Sequence, residues 1–465
     1  VALIDRLASQ IEEPSPQGIA SALSMLIRTG EVAPRTRLPT VRDVAKRLEV
    51  SPGTVSAAWH GLVDAGLIEA RGRAGSYVLE PRTPWLTTRS GHLAEVAAAT
   101  PPGVERLELA IGIPDPLLLP DITAALERVA PSRAAVGSYL QPPLLPELEA
   151  PLRALWPAPV QALTVLDGVM DGIERALRSV ARFGDRVIVE TPTFPMLLDL
   201  LEHLHLMAVP VRMDAHGIIP ASLEAALASR PAAVIVQPRA QNPTGISMTA
   251  SRADELAAVL TRHRYGRDAV IIEDDHTGLV SAAQPVSLGA WIPQRTLRVA
   301  GFSKSHGPDL RIAALGGPAS AVERIVGYRV LGPGWTSRLL QAILHDLLTS
   351  RASIHAVDRA RHAYFLRQRE LAACLAAAGV EVPVADGLNA WVPVADEHVA
   401  RITLAAHGIN VSRGSTFVVP AAVDRDEPGP HTGDHIRVSV GALRESVPTV
   451  AAAIAAAASG RETSG

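Results

Sequence analysis

Lysine is scarce in this chain, and one of its two lysines stands in a stretch suited to covalent chemistry. Of 44 basic side chains, all but Lys46 and Lys304 are arginines. Lys304 falls in Gly301-Phe302-Ser303-Lys304-Ser305-His306-Gly307-Pro308-Asp309-Leu310-Arg311, where a strand-like run (Thr296 to Phe302) gives way to a loop. Arginine is always charged and forms no imine. Lysine loses its proton when desolvated and then attacks a carbonyl as a Schiff-base nucleophile. An amine retained here, in a chain that otherwise uses arginine, is a candidate imine lysine.

The elements around it define what such an amine would serve. Beyond Val104, short runs rich in branched residues alternate with helical stretches: Val187–Glu190, Ala233–Gln237, Ala269–Glu273 and Leu297–Ala300 are the strands, and Ala253 to His263 is one of the helices. That alternation predicts an α/β domain with a largely parallel sheet. Ligands of such sheets bind beyond the carboxyl ends of the strands, and Phe194, Asn242, Asp274 with Asp275, and Lys304 all fall there. Together they suit pyridoxal 5′-phosphate, which needs a lysine imine and an acid beside its pyridine nitrogen. Gly168-Val169-Met170 precedes a helix expected over Ile173 to Arg182 and offers backbone N–H groups to the phosphate. Arg311 adds a charge-assisted contact, Ser303 borders the lysine, and Phe194 between Pro192 and Pro195 presents a ring for stacking.

The first eighty residues have a different plan. Ile19, Leu23, Leu26 and Ile27 recur at helical spacing within Ser15 to Arg28. Thr40 is placed to cap a second helix running to Leu48. Ser51-Pro52 opens a third that runs to about Ala65. Strands at Gly66–Glu69 and Ser76–Leu79 flank a hairpin turn. This is the plan of a winged helix-turn-helix, whose third helix enters the major groove of DNA. Between residues 35 and 73 basic side chains exceed acidic ones by three. Residues 81–103, closed by prolines at both ends, read as a linker. Extended, its twenty-odd residues reach roughly 65 Å at about 3.3 Å each.

Leu38-Pro39-Thr40-Val41-Arg42-Asp43-Val44-Ala45, Val50-Ser51-Pro52-Gly53-Thr54-Val55 and Gly66-Leu67-Ile68 resemble the GntR-type winged helix of bacterial repressors. Asn242-Pro243-Thr244-Gly245 and the Lys304 segment resemble a fold-type-I aminotransferase. The fusion resembles the MocR subgroup of GntR regulators over nearly the whole chain. That resemblance implies Lys304 as the lysine of the internal aldimine, Asp274 on the pyridine nitrogen, Asn242 near the ring hydroxyl and Arg437 as the clamp for an amino-acid carboxylate. It implies DNA contacts at Arg42, Ser51, Thr54, Arg73 and Gly75, and a Tyr139 that reaches the phosphate of the neighbouring subunit in a homodimer. The sequence departs from the family pattern in three places. His276 replaces the tyrosine after the paired acids, Gly301 replaces a hydroxyl residue three before the lysine, and Gln141-Pro142-Pro143 occupies the loop after Tyr139. A histidine can titrate near neutrality, so His276 is counted with the cofactor-binding residues.

The 465 residues are expected to form two or three domains: a winged helix-turn-helix over 1–80, the linker, and an aminotransferase-like effector and dimerisation domain over 104–460. The single cysteine, Cys374, rules out an internal disulfide and is expected to be buried. No apolar run is long enough to span a bilayer, no leader pattern opens the chain, and no metal cluster is expected, so a cytoplasmic protein follows. The expected function is a pyridoxal-phosphate-dependent transcriptional regulator, binding an operator and sensing the cofactor itself or an amino compound. The alternative is a true aminotransferase with an accessory N-terminal domain.

Overall fold

The computed structural model describes residues 3–11, 14–28, 31–64, 67–70, 75–79, 106–130, 138–419, 433–444 and 447–459. The chain divides into two compact units, split between His92 and Leu93. The linker expected over 81–103 and the wing residue Arg73 lie outside the described residues.

The first unit has four helices, α1 (Leu3–Ser9), α2 (Pro16–Arg28), α3 (Val41–Leu48) and α4 (Pro52–Asp64), and a hairpin of β1 (Ile68–Ala70) with β2 (Ser76–Val78). Helix α1 had no counterpart in the sequence reading. Thr40 caps α3, its side chain accepting from the Asp43 N–H. At the other end Glu49, at φ 57°, turns the chain sharply toward α4. Ser51 then accepts from the Thr54 N–H and fixes the start of α4. Ile19, Leu23, Val44, Val55 and Leu62 fill the space between the helices, and Val78 packs the hairpin against them. Lys46 is exposed on α3.

The second unit is built on an eight-stranded sheet. Its strands are β4 (Ala162–Leu166), β5 (Arg186–Thr191), β6 (Met207–Asp214), β7 (Gly217–Ile218), β8 (Ala233–Val236), β9 (Val270–Asp275), β10 (Thr296–Gly301) and β11 (Ala313–Gly317). They lie in the order β4-β11-β10-β9-β8-β5-β6-β7. The central pairs β10–β9, β9–β8, β8–β5 and β5–β6 are parallel, and antiparallel pairs close both edges. Two hydrophobic clusters lie on this sheet, one containing Val187, Val189 and Ile272 and the other Ile188, Val234 and Ile271. A sheet buried on both faces explains why its central strands read as nearly unbroken apolar runs.

A smaller lobe joins β12 (Asn389–Pro393), β14 (Ser412–Arg413) and β15 (His435–Ser439) into one antiparallel sheet. Beside it β3 (Leu107–Glu108) pairs in parallel with β13 (Ile409–Asn410). The 27-residue helix Arg351–Ala377 contributes Leu371 and Leu375 to this lobe's core. Cys374, expected to be buried, is only partly so, because Leu371 and Leu375 take the inward positions of that helix.

The one charge inside the apolar run of β10 is Arg298, 2% exposed. It bonds Glu273 at 3.0 Å and Asp275 at 2.7 Å. Removing one partner of a buried pair strands the other charges, at a cost of about 3–5 kcal/mol. Arg298→Met should therefore lower the thermal unfolding midpoint of the second unit sharply. Arg153→Met, which removes a surface pair with Glu149, should leave that midpoint nearly unchanged.

Candidate functional site

Strand alternation partitions the three consecutive acids that end β9. Glu273 and Asp275 share one face, and Asp274 points to the other. On the first face Arg298 joins both carboxylates, and Arg239 holds Asp275 through Nε and a terminal nitrogen, both at 2.8 Å. Burial alone would raise the Asp275 carboxyl. The charges of Arg298 and Arg239 outweigh it and hold that group well below the usual carboxylate range. Burial pushes Glu273 upward, with Arg298 opposing. Asp274 lies opposite Val299 in the β9–β10 register, on the side where the helix Val169–Val180 packs through Gly172. Its Oδ1 is buried without a hydrogen-bond partner, and His276 Nδ1, also unbonded, stands 3.7 Å away. His276 Nε2 meets the Thr277 hydroxyl at 3.1 Å.

Lys304 sits in the short helix Ser303–His306 that follows β10 directly. Its Nζ donates to the Gly112 carbonyl. Burial, then the nearby charges of Arg437 and Arg311, lower its pKa to about 8. At pH 7 about one amine in ten is then neutral, against roughly one in several thousand for an ordinary lysine. This is the state a carbonyl needs. Neighbouring His306 is buried with Nδ1 on the Ser305 hydroxyl at 2.8 Å, and burial lowers it to about 4.

Gly168 caps the helix Val169–Val180, which begins four residues earlier than its apolar pattern indicated. At φ +106° this position requires glycine, and an added Cβ would lie 2.5 Å from the Arg311 guanidinium. Arg311 also donates to the Asp167 carbonyl at 3.3 Å. The first-turn N–H groups of Val169 and Met170 have no acceptor within the helix. Together with Arg311 they form an anion cradle. Gly301 is explained here as well: a Cβ would come within 2.6 Å of the Val169 side chain and 3.3 Å of the His276 carbonyl. The bulk of Val169 thus excludes a hydroxyl residue from that position.

On the facing side Arg437, 3% exposed in β15, donates to Asn242 Oδ1 at 3.1 Å, to the Ser412 hydroxyl at 3.1 Å and to the Ala110 carbonyl. Its guanidinium lies 4.9 Å over the Phe417 ring, and burial lowers its pKa to about 10, with Glu108 opposing. The loop carrying Asn242 is braced from below. Gln237 accepts from the Asn242 N–H at 2.7 Å, and Gln241 accepts from the Thr244 N–H and hydroxyl. Glu190, raised to about 8 by burial, accepts from the Gln237 N–H and from Gln241.

The structure groups Gly168 with Arg311, Val169 with His276 and Asp274 around Gly301, and Asn242 with Arg437, and Lys304 lies near enough to Arg437 and Arg311 to feel both charges. Met170 and Ser303 are half-buried in the first turns of the cradle helix and of the lysine helix. Phe194, half-buried, opens the helix Pro195–His203 two residues after Pro192, whose carbonyl accepts from Gln241. Tyr139 is 87% exposed and packs edge-on against Trp335 at 5.7 Å, outside this set within one chain. Sequence reasoning missed Arg239, Arg298, Glu190 and the segment 110–115. Arg298 carried a usable signal, a charge in the middle of an apolar strand.

In the first unit Arg42 is exposed at the start of α3, and the Ser51 and Thr54 hydroxyls meet at 2.9 Å at the tip of α4. Gly75, at φ +99°, lies against Arg37, whose Nε would be 3.1 Å from an added Cβ.

Comparison with known proteins supplies the class. Aminotransferases of class I and II match residues 104–454, and bacterial regulatory proteins of the gntR family match residues 16–78. The vitamin B6 salvage pathway transcriptional repressor PtsJ of Salmonella typhimurium is 33% identical, covering 88% of this chain and 93% of that protein. The pyridoxine biosynthesis transcriptional regulator PdxR of Corynebacterium glutamicum is 27% identical over 88% of this chain and 91% of its own length. Among solved structures, Thermus thermophilus aspartate aminotransferase with maleate superposes with a TM-score of 0.67 at 22% identity, covering 81% of this chain and 97% of that one. The chain belongs to the MocR-type GntR regulators, DNA-binding transcriptional regulators whose second domain has the pyridoxal-phosphate-dependent aminotransferase fold.

The residues present fit that cofactor. Lys304 is a partly neutral amine, the buried Asp274 Oδ1 lacks a partner, and the Gly168 cradle leaves its N–H groups and Arg311 to an anion. When bound, the cofactor supplies an electrophilic carbon and an electron sink. Gly168→Ala, which strains the backbone and pushes into Arg311, should weaken pyridoxal-phosphate uptake about tenfold or more in an absorbance titration. The rate of uptake should rise with pH through about 8 and then level, because the neutral amine is the reactive form; a rate that keeps rising toward pH 10 would mean an unperturbed lysine.

Proposed function

We propose that this regulator senses pyridoxal 5′-phosphate, or an amino compound presented to it, through Lys304, and that occupancy of the site changes the affinity of the winged helix for its operator. The observation that carries this reading is the placement of a partly neutral amine, Lys304, just after β10 and of an acid with an unbonded buried oxygen, Asp274, at the carboxyl end of the adjacent parallel strand β9. Asp274 would hold the pyridine nitrogen, with His276 beside it. Gly168, Val169, Met170, Ser303 and Arg311 would hold the phosphate, Phe194 would stack on the ring, and Asn242 would reach the ring hydroxyl. Arg437 would clamp a carboxylate.

Two relatives named for vitamin B6 control favour the cofactor itself as the signal. A ligand that binds one state of a two-state protein better than the other shifts the population by its differential affinity, and DNA affinity shifts with it. Arg42, Ser51, Thr54, Arg73 and Gly75 are the residues we assign to DNA. A cytoplasmic homodimer in which Tyr139 reaches the partner's site fits its exposure, and 1–80, 81–103 and 104–460 are our division of the chain.

The test is binding to the DNA upstream of its own gene at fixed salt, since phosphate contacts dominate affinity. Pyridoxal phosphate should shift that binding severalfold in the wild type and not in Lys304→Ala. Sustained keto-acid-dependent turnover, with no effect of the cofactor on DNA, would instead identify an enzyme.

A further inference from the structure

Two of the site's three cations, Lys304 and Arg437, face the same short piece of backbone. The Gly112 carbonyl accepts from Lys304 and the Ala110 carbonyl accepts from Arg437. The two acceptors belong to a strap, residues 110–114, fastened at each end. Upstream, β3 pairs with β13, the Leu109 N–H donates to the Asn410 carbonyl at 2.9 Å and the Leu109 carbonyl accepts from the Ser439 N–H at 2.8 Å. Downstream the fastening is ionic. Asp115, 1% exposed, accepts from Arg367 at 2.8 Å and from Arg444 at 2.8 and 3.1 Å, while its own N–H donates to the Tyr364 hydroxyl at 2.8 Å. Within the strap Ala110 and Pro114 are buried, while Ile111 and Ile113 between them are 42% and 41% exposed. The backbone also packs closely there, since a Cβ on Gly441 would fall against the Ile113 carbonyl.

We propose that residues 110–114 compete with ligand for Lys304 and Arg437, and that Asp115, held by Arg367 and Arg444, is the positioning residue that sets how firmly the strap resists. This deepens the reading given under Proposed function and rests on it. Condensation of the neutral Lys304 amine with a carbonyl would carry both amine hydrogens away with the carbonyl oxygen as water, leaving none for Gly112. A carboxylate on Arg437 would compete with Ala110, whose carbonyl also accepts from the Ser412 hydroxyl at 2.7 Å. In the chain, residues 104–109, with β3 among them, lie between the strap and the stretch assigned as linker to the DNA-binding unit. Release of the strap would reach the linker through β3, whose pairing with β13 lies between them. By linkage, loosening the downstream anchor favours the released state before any ligand arrives.

The experiment compares full-length wild type with Arg444→Gln, whose guanidinium is half-exposed and bears on the strap only through Asp115, and with Asp115→Asn. Two quantities are read: the pyridoxal-phosphate dissociation constant from the visible absorbance, and the operator dissociation constant without and with the cofactor. Arg444→Gln should bind the cofactor about threefold more tightly, the scale of one well-formed arginine–carboxylate pair near a surface. Its cofactor-free operator affinity should move part of the way to the loaded wild-type value. Asp115→Asn should shift both further in the same direction; should it fail to fold, Arg444→Gln still decides. Unchanged cofactor affinity, or unchanged cofactor-free operator affinity, in a folded Arg444→Gln protein whose wild type responds to the cofactor overturns the strap and leaves the sensing function standing. A wild type that takes up no cofactor overturns the sensing function, and the strap with it.

Discussion

The site depends on how charge is divided at the end of β9. Three consecutive carboxylates enter a low-dielectric interior, where an uncompensated anion is costly. The two-residue period of the strand sends two of them to a face supplied with Arg298 and Arg239. The third goes to the opposite face, among Val299 and the cradle helix. That division leaves Asp274 as the acid without an arginine, the one we assign to a protonated ring nitrogen. Had the register of β10 slipped by one residue, Arg298 would point at Asp274 and quench it.

The same economy runs through the opposite wall. Lys304, Arg311 and Arg437 put three cations around one volume, and mutual repulsion together with burial keeps the lysine partly neutral. Arg437 is held by Asn242, Ser412 and a backbone carbonyl rather than by a carboxylate, and its Nε is buried without a hydrogen-bond partner. Of the three acids, Glu273 and Asp275 are paired with arginine, and Asp274 keeps an oxygen without a hydrogen-bond partner.

The sequence made the architecture legible where residue type forces conformation. Thr40 and Ser51 mark helix starts, Gly168 marks a turn that other residues resist, and branched runs mark the buried strands. Lys304 stood out by composition, and the Asn242 loop by its motif. Contacts made by backbone atoms were not legible: nothing in Ala110-Ile111-Gly112 announces two carbonyls facing two cations. Nor was the role of Gly301, which follows from the Val169 side chain 132 positions earlier in the chain. Burial of Cys374 failed as an expectation because an apolar helical run on a long two-sided helix has more than one face.

The scarcity of lysine has a consequence for selectivity. Pyridoxal phosphate is an aldehyde, and aldehydes condense with any accessible neutral amine. In a typical chain dozens of ammonium groups would compete weakly for it, adding background to a signal read through one covalent bond. Here arginine carries the surface charge, and arginine forms no imine. Apart from Lys304, the side-chain amines are reduced to Lys46, exposed on α3 of the first unit. The chain thus carries its positive charge with very little aldehyde-reactive background, which suits the covalent sensing we propose for Lys304.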